Sequence, residues 1–274
     1  SNSNGGNITQ ISQRWSIYHS WSPDSKQVTY SFFFPAPGTT PVPSGNSLFF
    51  ADIYTVSADG SNEINLTHKF QQGEFSHPIW SPDSQKLAFV KHNGIVVVNS
   101  NGTGATEYDI PNVRSVLYWS KDNSFILFMN KDYQIIKSNL DFSEYQILPI
   151  PFISSSIIKF SPNEKWFAYE HSYYNSENGA YCTQIRIANV ETFQNYFVYD
   201  EKDLDTAAGD YLKPIANALG IGSFEWLGND KLLFTQWAYH SVILSPINDM
   251  FEINGDGTEL RYAAEDVSSF SLQP

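Results

Sequence analysis

Apolar and polar positions alternate along this chain in short runs, and the runs come in sets of four. The best-formed set spans residues 75–108. Phe75–Trp80 leads into Ser81-Pro82-Asp83-Ser84, and Lys86–Lys91 follows, with Leu87 and Phe89 on one side and Ala88 and Val90 on the other. His92-Asn93-Gly94 turns the chain into Ile95–Asn99, and Ser100-Asn101-Gly102-Thr103-Gly104 turns it into Ala105–Tyr108. Period-two alternation between clusters of Gly, Asn, Asp and Pro predicts four short antiparallel strands joined by hairpins.

The head of this set recurs. Ser20-Trp21-Ser22-Pro23-Asp24-Ser25 matches Ile79-Trp80-Ser81-Pro82-Asp83-Ser84. Degraded copies are Tyr118-Trp119-Ser120-Lys121-Asp122, Lys159-Phe160-Ser161-Pro162-Asn163 and Glu225-Trp226-Leu227-Gly228-Asn229, with a stub at Ser269-Phe270-Ser271-Leu272. Trp80, Trp119 and Phe160 recur at intervals of about 40 residues, the size of a four-stranded propeller blade. The longer intervals after Trp21 and Phe160 carry insertions.

Local chemistry supports the hairpins. Proline presets φ in a tight turn, and Asp or Asn caps the turn's own amides. Asp-Gly or Asn-Gly between β-rich runs is a strong hairpin signal. It occurs at Asp59-Gly60, Asn101-Gly102 and Asp256-Gly257. The aromatics at Trp21, Trp80, Trp119, Phe160, Trp226 and Phe270 are expected to wedge between packed blades. Trp-Ser-Pro-Asp, a strand, Ile53-Tyr54-Thr55-Val56-Ser57-Ala58-Asp59-Gly60-Ser61 and then Leu66-Thr67 together resemble the TolB-type, WD40-like β-propeller repeat. The likeness runs from about residue 8 to residue 272 and weakens from the third unit onward.

The expected fold is all-β: a propeller of four-stranded antiparallel blades, five in number, with six as the alternative. Residues 1–6 read as a flexible linker and 7–274 as a single propeller domain. Asn7-Ile8-Thr9-Gln10-Ile11 is similar to a fourth strand that lacks its own unit, which points to closure by early and late strands. Two insertions interrupt the period. Phe32–Gly45, with four prolines, is expected to be an irregular loop between the second and third strands of the first unit. Residues 201–219 place Leu204, Ala208, Tyr211, Leu212, Ile215 and Leu219 at helical spacing, so a short helical insertion is expected near 203–219.

Composition narrows the function. The chain has 274 residues, 16 Lys plus Arg against 29 Asp plus Glu, and a net charge of −13. Nucleic acid and anionic membranes are disfavoured as partners. The one cysteine, Cys182, has no internal disulfide partner. No apolar run is long enough for a transmembrane helix. The small, polar N-terminus fits a lipid-anchored tether upstream or an ordinary frayed end.

Catalytic signatures are missing: no Gly-x-Ser-x-Gly elbow, no phosphate loop and no His-Glu-x-x-His helix. Asp203-x-Asp205 fails as a calcium loop because Ala207 stands at the third ligand position. The sequence implies no cofactor and no metal. First strands line a propeller's channel. Counting outward from the wedges by alternation gives Tyr118, Lys159, Glu225, His77 and Arg114, and His19, which sits near the point equivalent to His77, completes the expected channel mouth, with Lys159 and Glu225 at equivalent positions and able to pair. The same count puts Val116 on the channel wall. Tyrosine clusters at Tyr173-Tyr174, Tyr181, Tyr196 and Tyr199, with Trp237 and Tyr239, fit a contact surface or inter-blade packing.

The resemblance implies an envelope or secreted protein that binds a partner through its channel mouth and loops. The expectation is a periplasmic or cell-surface binding or scaffold module, acidic and non-enzymatic, with a protein or peptide partner; carbohydrate is the second ligand class. The alternative is a propeller-type lyase or glycosidase with acid/base groups in the channel, for which Glu170 and Glu225 are the candidates.

Overall fold

The computed structural model describes residues 10–11, 16–35, 49–70, 75–92, 94–150, 158–175, 180–197, 219–239 and 246–264. Among them are twenty strands in five four-stranded antiparallel sheets, and no helix. Sheet 1 holds β1 Ser16–Trp21, β2 Gln27–Pro35, β3 Phe49–Ser57 and β4 Ile64–Asn65. Sheet 2 holds β5 Phe75–Trp80, β6 Lys86–Lys91, β7 Gly94–Asn99 and β8 Thr106–Asp109. Sheet 3 holds β9 Val113–Trp119, β10 Ile126–Asn130, β11 Ile135–Ser138 and β12 Tyr145–Ile147. Sheet 4 holds β13 Ile158–Phe160, β14 Trp166–Asn175, β15 Ala180–Asn189 and β16 Asn195–Phe197. Sheet 5 holds β17 Leu219–Leu227, β18 Lys231–Tyr239, β19 Pro246–Asn254 and β20 Arg261–Ala264. In every sheet the strands lie side by side in chain order.

The chain forms two compact units, Ser1–Ile147 with sheets 1 to 3 and Leu148–Pro274 with sheets 4 and 5. In the first unit Ala51, Ile53 and Leu66 of sheet 1 meet Trp80, Leu87, Phe89, Val96 and Val98 of sheet 2. The other face of sheet 2, Ala88, Val90 and Ile95, meets Trp119, Val116, Ile126 and Phe128 of sheet 3. The alternation along β6 thus divides between two neighbours rather than between core and water, which is why both of its faces are apolar. In the second unit Trp166, Ala168, Ile185 and Ile187 pack on Phe224, Trp226, Leu232, Phe234, Phe251 and Ile253. Each large apolar side chain of this kind contributes roughly 1.5–3 kcal/mol when fully buried.

The strands of the second set match the sequence reading to within one residue at each end. Two expectations shift. Phe32–Pro35 is strand, not loop: β2 runs on to Pro35 and pairs with β3 down to Phe49. Residues 36–45 of that insertion lie outside the described residues. So do residues 203–218 of the expected helix, while Leu219 already begins β17. The linker 1–6 and the stub 269–272 also lie outside them.

Wedge behaviour holds at Trp80, Trp119 and Trp226, which are 7–8% exposed. The Trp80 indole N–H donates to the Ser20 carbonyl at 3.2 Å, and that of Trp226 to the Lys159 carbonyl at 2.7 Å. These two wedges therefore reach back to the residue before their counterpart in the preceding sheet, a bond that the buried Trp119 indole does not make. Phe160 is half-buried and stacks on Phe167, with centroids 5.3 Å apart. Trp21 departs from the pattern at 54% exposed. It sits in the first sheet of its unit, with no preceding sheet in that unit to receive it. Phe270 lies outside the described residues.

Candidate functional site

In each sheet, one end carries the β1–β2-type and β3–β4-type turns. The opposite end carries the connections of variable length. In sheets 1 to 4 the first end is built on a buried serine. Ser22 Oγ donates to Asp24 at 2.7 Å and accepts from the Gln27 amide at 2.9 Å. Ser81 Oγ does the same with Asp83 at 2.6 Å and the Lys86 amide at 2.8 Å. Ser161 Oγ bonds Asn163 at 2.8 Å and the Trp166 amide at 3.0 Å. Ser120 Oγ accepts from the Phe125 amide at 2.9 Å. All four serines are at most 2% exposed. The residue after the acid or amide, Ser25, Ser84, Asn123 or Glu164, takes a φ of 56–62°. Sequence reasoning credits Pro and Asp and misses the serine. The hydroxyl lies inside the turn, and only the closed turn shows it.

Hydroxyl donors hold the turn carboxyls below the usual aspartate range. For Asp24 and Asp83 the main cause is the Ser22 or Ser81 hydroxyl. Asp59, Asp141 and Asp256 are lowered mainly by Ser61, Ser143 and Thr258, in the third-to-fourth-strand turns. The acidic, Gly-rich stretch from Asn254 to Glu259 is accordingly a hairpin turn between β19 and β20. Its carboxylates are those of Asp256 and Glu259.

The six channel-mouth residues read from the sequence fall on first strands, but among the described side chains only two of them meet. Lys159 and Glu225, on β13 and β17, form an ion pair, and the lysine ammonium also lies 5.4 Å from the Phe224 ring centroid. Each side chain is about one-third exposed, so the pair sits at a wet boundary. Arg114, exposed on β9, lays its guanidinium 4.5 Å from the centroid of the Tyr133 ring. Tyr118, also on β9, is half-buried near Phe125, whose ring receives Lys137 at 4.4 Å. Arg114 and Tyr118 stand toward opposite ends of that strand. His19 is exposed on β1, level with Tyr30 of β2. His77 lies on β5, and its side chain is outside the described residues. Glu170 is half-buried on β14, level with Ile185.

Strict alternation fails on the first strands. The pairing register shifts between Ser16 and His19 in β1, between Ser76 and Ile79 in β5, and between Ile221 and Phe224 in β17. On β9 it slips beside Leu117. A bulge adds a residue and re-aims the side chains that follow. It corrects the expectation for Val116, which is 3% exposed in the core and not on a channel wall. Pro78 and the glycines Gly220 and Gly222 are the sequence signals that mark such bulges, since both residue types weaken a regular ladder.

Among the described residues, no group of three or more His, Cys, Asp or Glu side chains is placed to hold a metal ion. No described helix is long and apolar enough to cross a membrane.

No family model matches the chain, and no curated protein shows significant similarity to it. Solved structures do. A putative TolB from Agrobacterium tumefaciens superposes with a TM-score of 0.52 at 15% identity, over 93% of this chain and 82% of that one. The tricorn protease superposes with a TM-score of 0.53 at 10% identity, over 90% of this chain and 27% of the protease. An oligogalacturonate lyase in complex with manganese gives 0.52 at 11% identity, over 92% of this chain and 66% of the lyase. The chain thus spans most of the TolB but about a quarter of the protease. These likenesses establish the fold class: a TolB-like β-propeller, all-β, with four-stranded antiparallel blades.

Proposed function

We propose that this chain is a non-catalytic, extracytoplasmic binding or scaffold module that engages a protein or peptide partner through the variable ends of its sheets. The observation that carries the reading is the asymmetry of each sheet. In sheets 1 to 4 one end repeats the same hydroxyl-locked turn, while the other bears the connections whose lengths differ most, including residues 36–48, 198–218 and 240–245. Loops of that kind on a rigid scaffold are where recognition concentrates. Arg114 stands at that end of sheet 3, a cation on an aromatic base, and arginine and tyrosine are favoured contact residues. Periplasmic or cell-surface residence, with or without a lipid tether, belongs to the same proposal and is supported by the likeness to TolB.

The rival reading is a propeller-type lyase or glycosidase, which the likeness to the oligogalacturonate lyase keeps in view. Its candidate acid/base group, Glu225, is engaged by Lys159. Two measurements separate the readings. Crosslinking in envelope extract should join a partner to the wild type, and both Arg114→Ala and removal of residues 201–218 should weaken that crosslink. An unchanged partner set in both variants counts against the variable ends. Turnover of a polysaccharide that Glu225→Gln abolishes would overturn the non-catalytic reading.

A further inference from the structure

Each sheet ends in an outer strand whose far backbone edge pairs with no other described strand. Such edges invite another strand, and proteins guard them with charge, brevity or cover. On β8 the guard is Glu107 and Asp109, both exposed. On β20 it is Arg261, exposed beside Glu259. Strand β4 has two residues, and its Asn65 is tied to Asp52 and Tyr54.

Strand β12 has no such charge on it. Its three residues are Tyr145, Gln146 and Ile147, all exposed. Tyr145 is 70% exposed and Ile147 51%. They alternate with Gln146 and so share one face of the sheet, level with Ser138 and Ile136 of β11. The register with β11 is unbroken, so no bulge turns this edge away. Just before it stand Asp141 and Glu144, both exposed, in a chain of net charge −13.

We propose that β12 is a strand-addition site for an extended peptide segment of a partner protein. The segment is apolar at alternate positions, to lie against Tyr145 and Ile147, and basic at one end, to face Asp141 and Glu144. Backbone hydrogen bonds supply the affinity and the alternate side chains the selectivity. The proposal rests on the reading of this chain as a protein- or peptide-binding module. A three-residue ladder implies weak, rapidly exchanging binding.

The test uses a fluorescent acetyl-Lys-Val-Thr-Val-Thr-Lys-amide peptide and the full chain. Anisotropy should rise on titration, and amide NMR signals of residues 145–147 should shift. A peptide with both threonines replaced by proline, which lacks those N–H groups, should bind at least about tenfold more weakly. The double variant Tyr145→Lys/Ile147→Lys, with its fold checked by circular dichroism, should lose a similar factor, whereas Tyr145→Phe should keep binding. Equal binding of the proline peptide, or full binding by the lysine variant, overturns the site. Self-association through Tyr145 without peptide binding would also overturn it, assigning the edge to a second copy. Loss of the natural partner on Arg114→Ala with peptide binding intact would leave β12 standing while locating the main partner elsewhere. Failure of the peptide with Arg114-dependent partner binding would do the reverse.

Discussion

The two ends of each sheet obey different rules. At one end the chain turns on a buried serine, an acid or amide two residues later and a residue at positive φ, in sheets 1 to 4 alike. At the other end the link from second to third strand is short in sheets 2, 3 and 4 and longer in sheets 1 and 5, and the link between sheets 4 and 5 is longer still. The first end holds most of what the fold requires, and the second is released from that duty. The difference teaches where stability and room for recognition are separated in this protein.

The sharpest way to break the comparison is at a wedge. Trp226→Ala removes a buried indole and its bond to Lys159, and should cost about 3–5 kcal/mol in urea unfolding. Trp21→Ala, at the exposed counterpart, should cost well under that. Equal losses would show that Trp21 is covered in solution.

Next come the turns. Ser81→Ala strips a buried hydroxyl that both donates and accepts, and should cost about 1–3 kcal/mol. Gly255→Ala tests the neighbouring turn of sheet 5, where a Cβ would approach the Trp166 ring to 2.6 Å, and should cost about the same. A loss below the error of the melt in either variant would show that the turn end yields more easily than its geometry implies.

Acid should act on the same end. Asp24, Asp59, Asp83, Asp122, Asp141 and Asp256 all have carboxyls held below the usual value of 3.8 by hydrogen bonds to the charged form. A depressed folded-state value contributes stability above the unfolded-state value, and that stability is lost as pH falls through the folded one. Tm should therefore be flat from neutral pH down to about 5 and fall below about 4. Replacing Asp83 and Asp141 with asparagine should flatten that fall. The smallest effect is expected from Arg114→Ala: stability within about 0.5 kcal/mol of the wild type, because the guanidinium is exposed. A larger loss would tie the variable end to folding.

Much of this is legible in the sequence. Period-two runs and the repeated aromatic–Ser–Pro–Asp phrase are enough for strands, sheet order and wedges, because the apolar faces of stacked sheets meet a neighbour. The pairing of Lys159 with Glu225 follows from their equivalent positions. Other features are hidden for physical reasons. Serine looks like turn filler until the turn closes over its hydroxyl. Bulges in β1, β5, β9 and β17 break the count from each tryptophan, so alternation puts Val116 on the wrong side. Trp21 carries the full phrase yet stays exposed, since its burial depends on a neighbour and not on its own strand. The tyrosine on which Arg114 rests, Tyr133, lies in a turn with no repeat to mark it.

The indole bonds of two wedges run one way. Trp80 reaches Ser20, and Trp226 reaches Lys159, each a carbonyl made earlier in synthesis. As the chain leaves the ribosome, each of these tryptophans finds its acceptor already present in the nascent protein, and neither must wait for a residue still to be translated. For these two bonds the order of translation and the order of assembly coincide, so an earlier sheet can serve as the template on which the next one settles, whereas Trp166 donates forward to Asp230 and closes its bond only once sheet 5 is made.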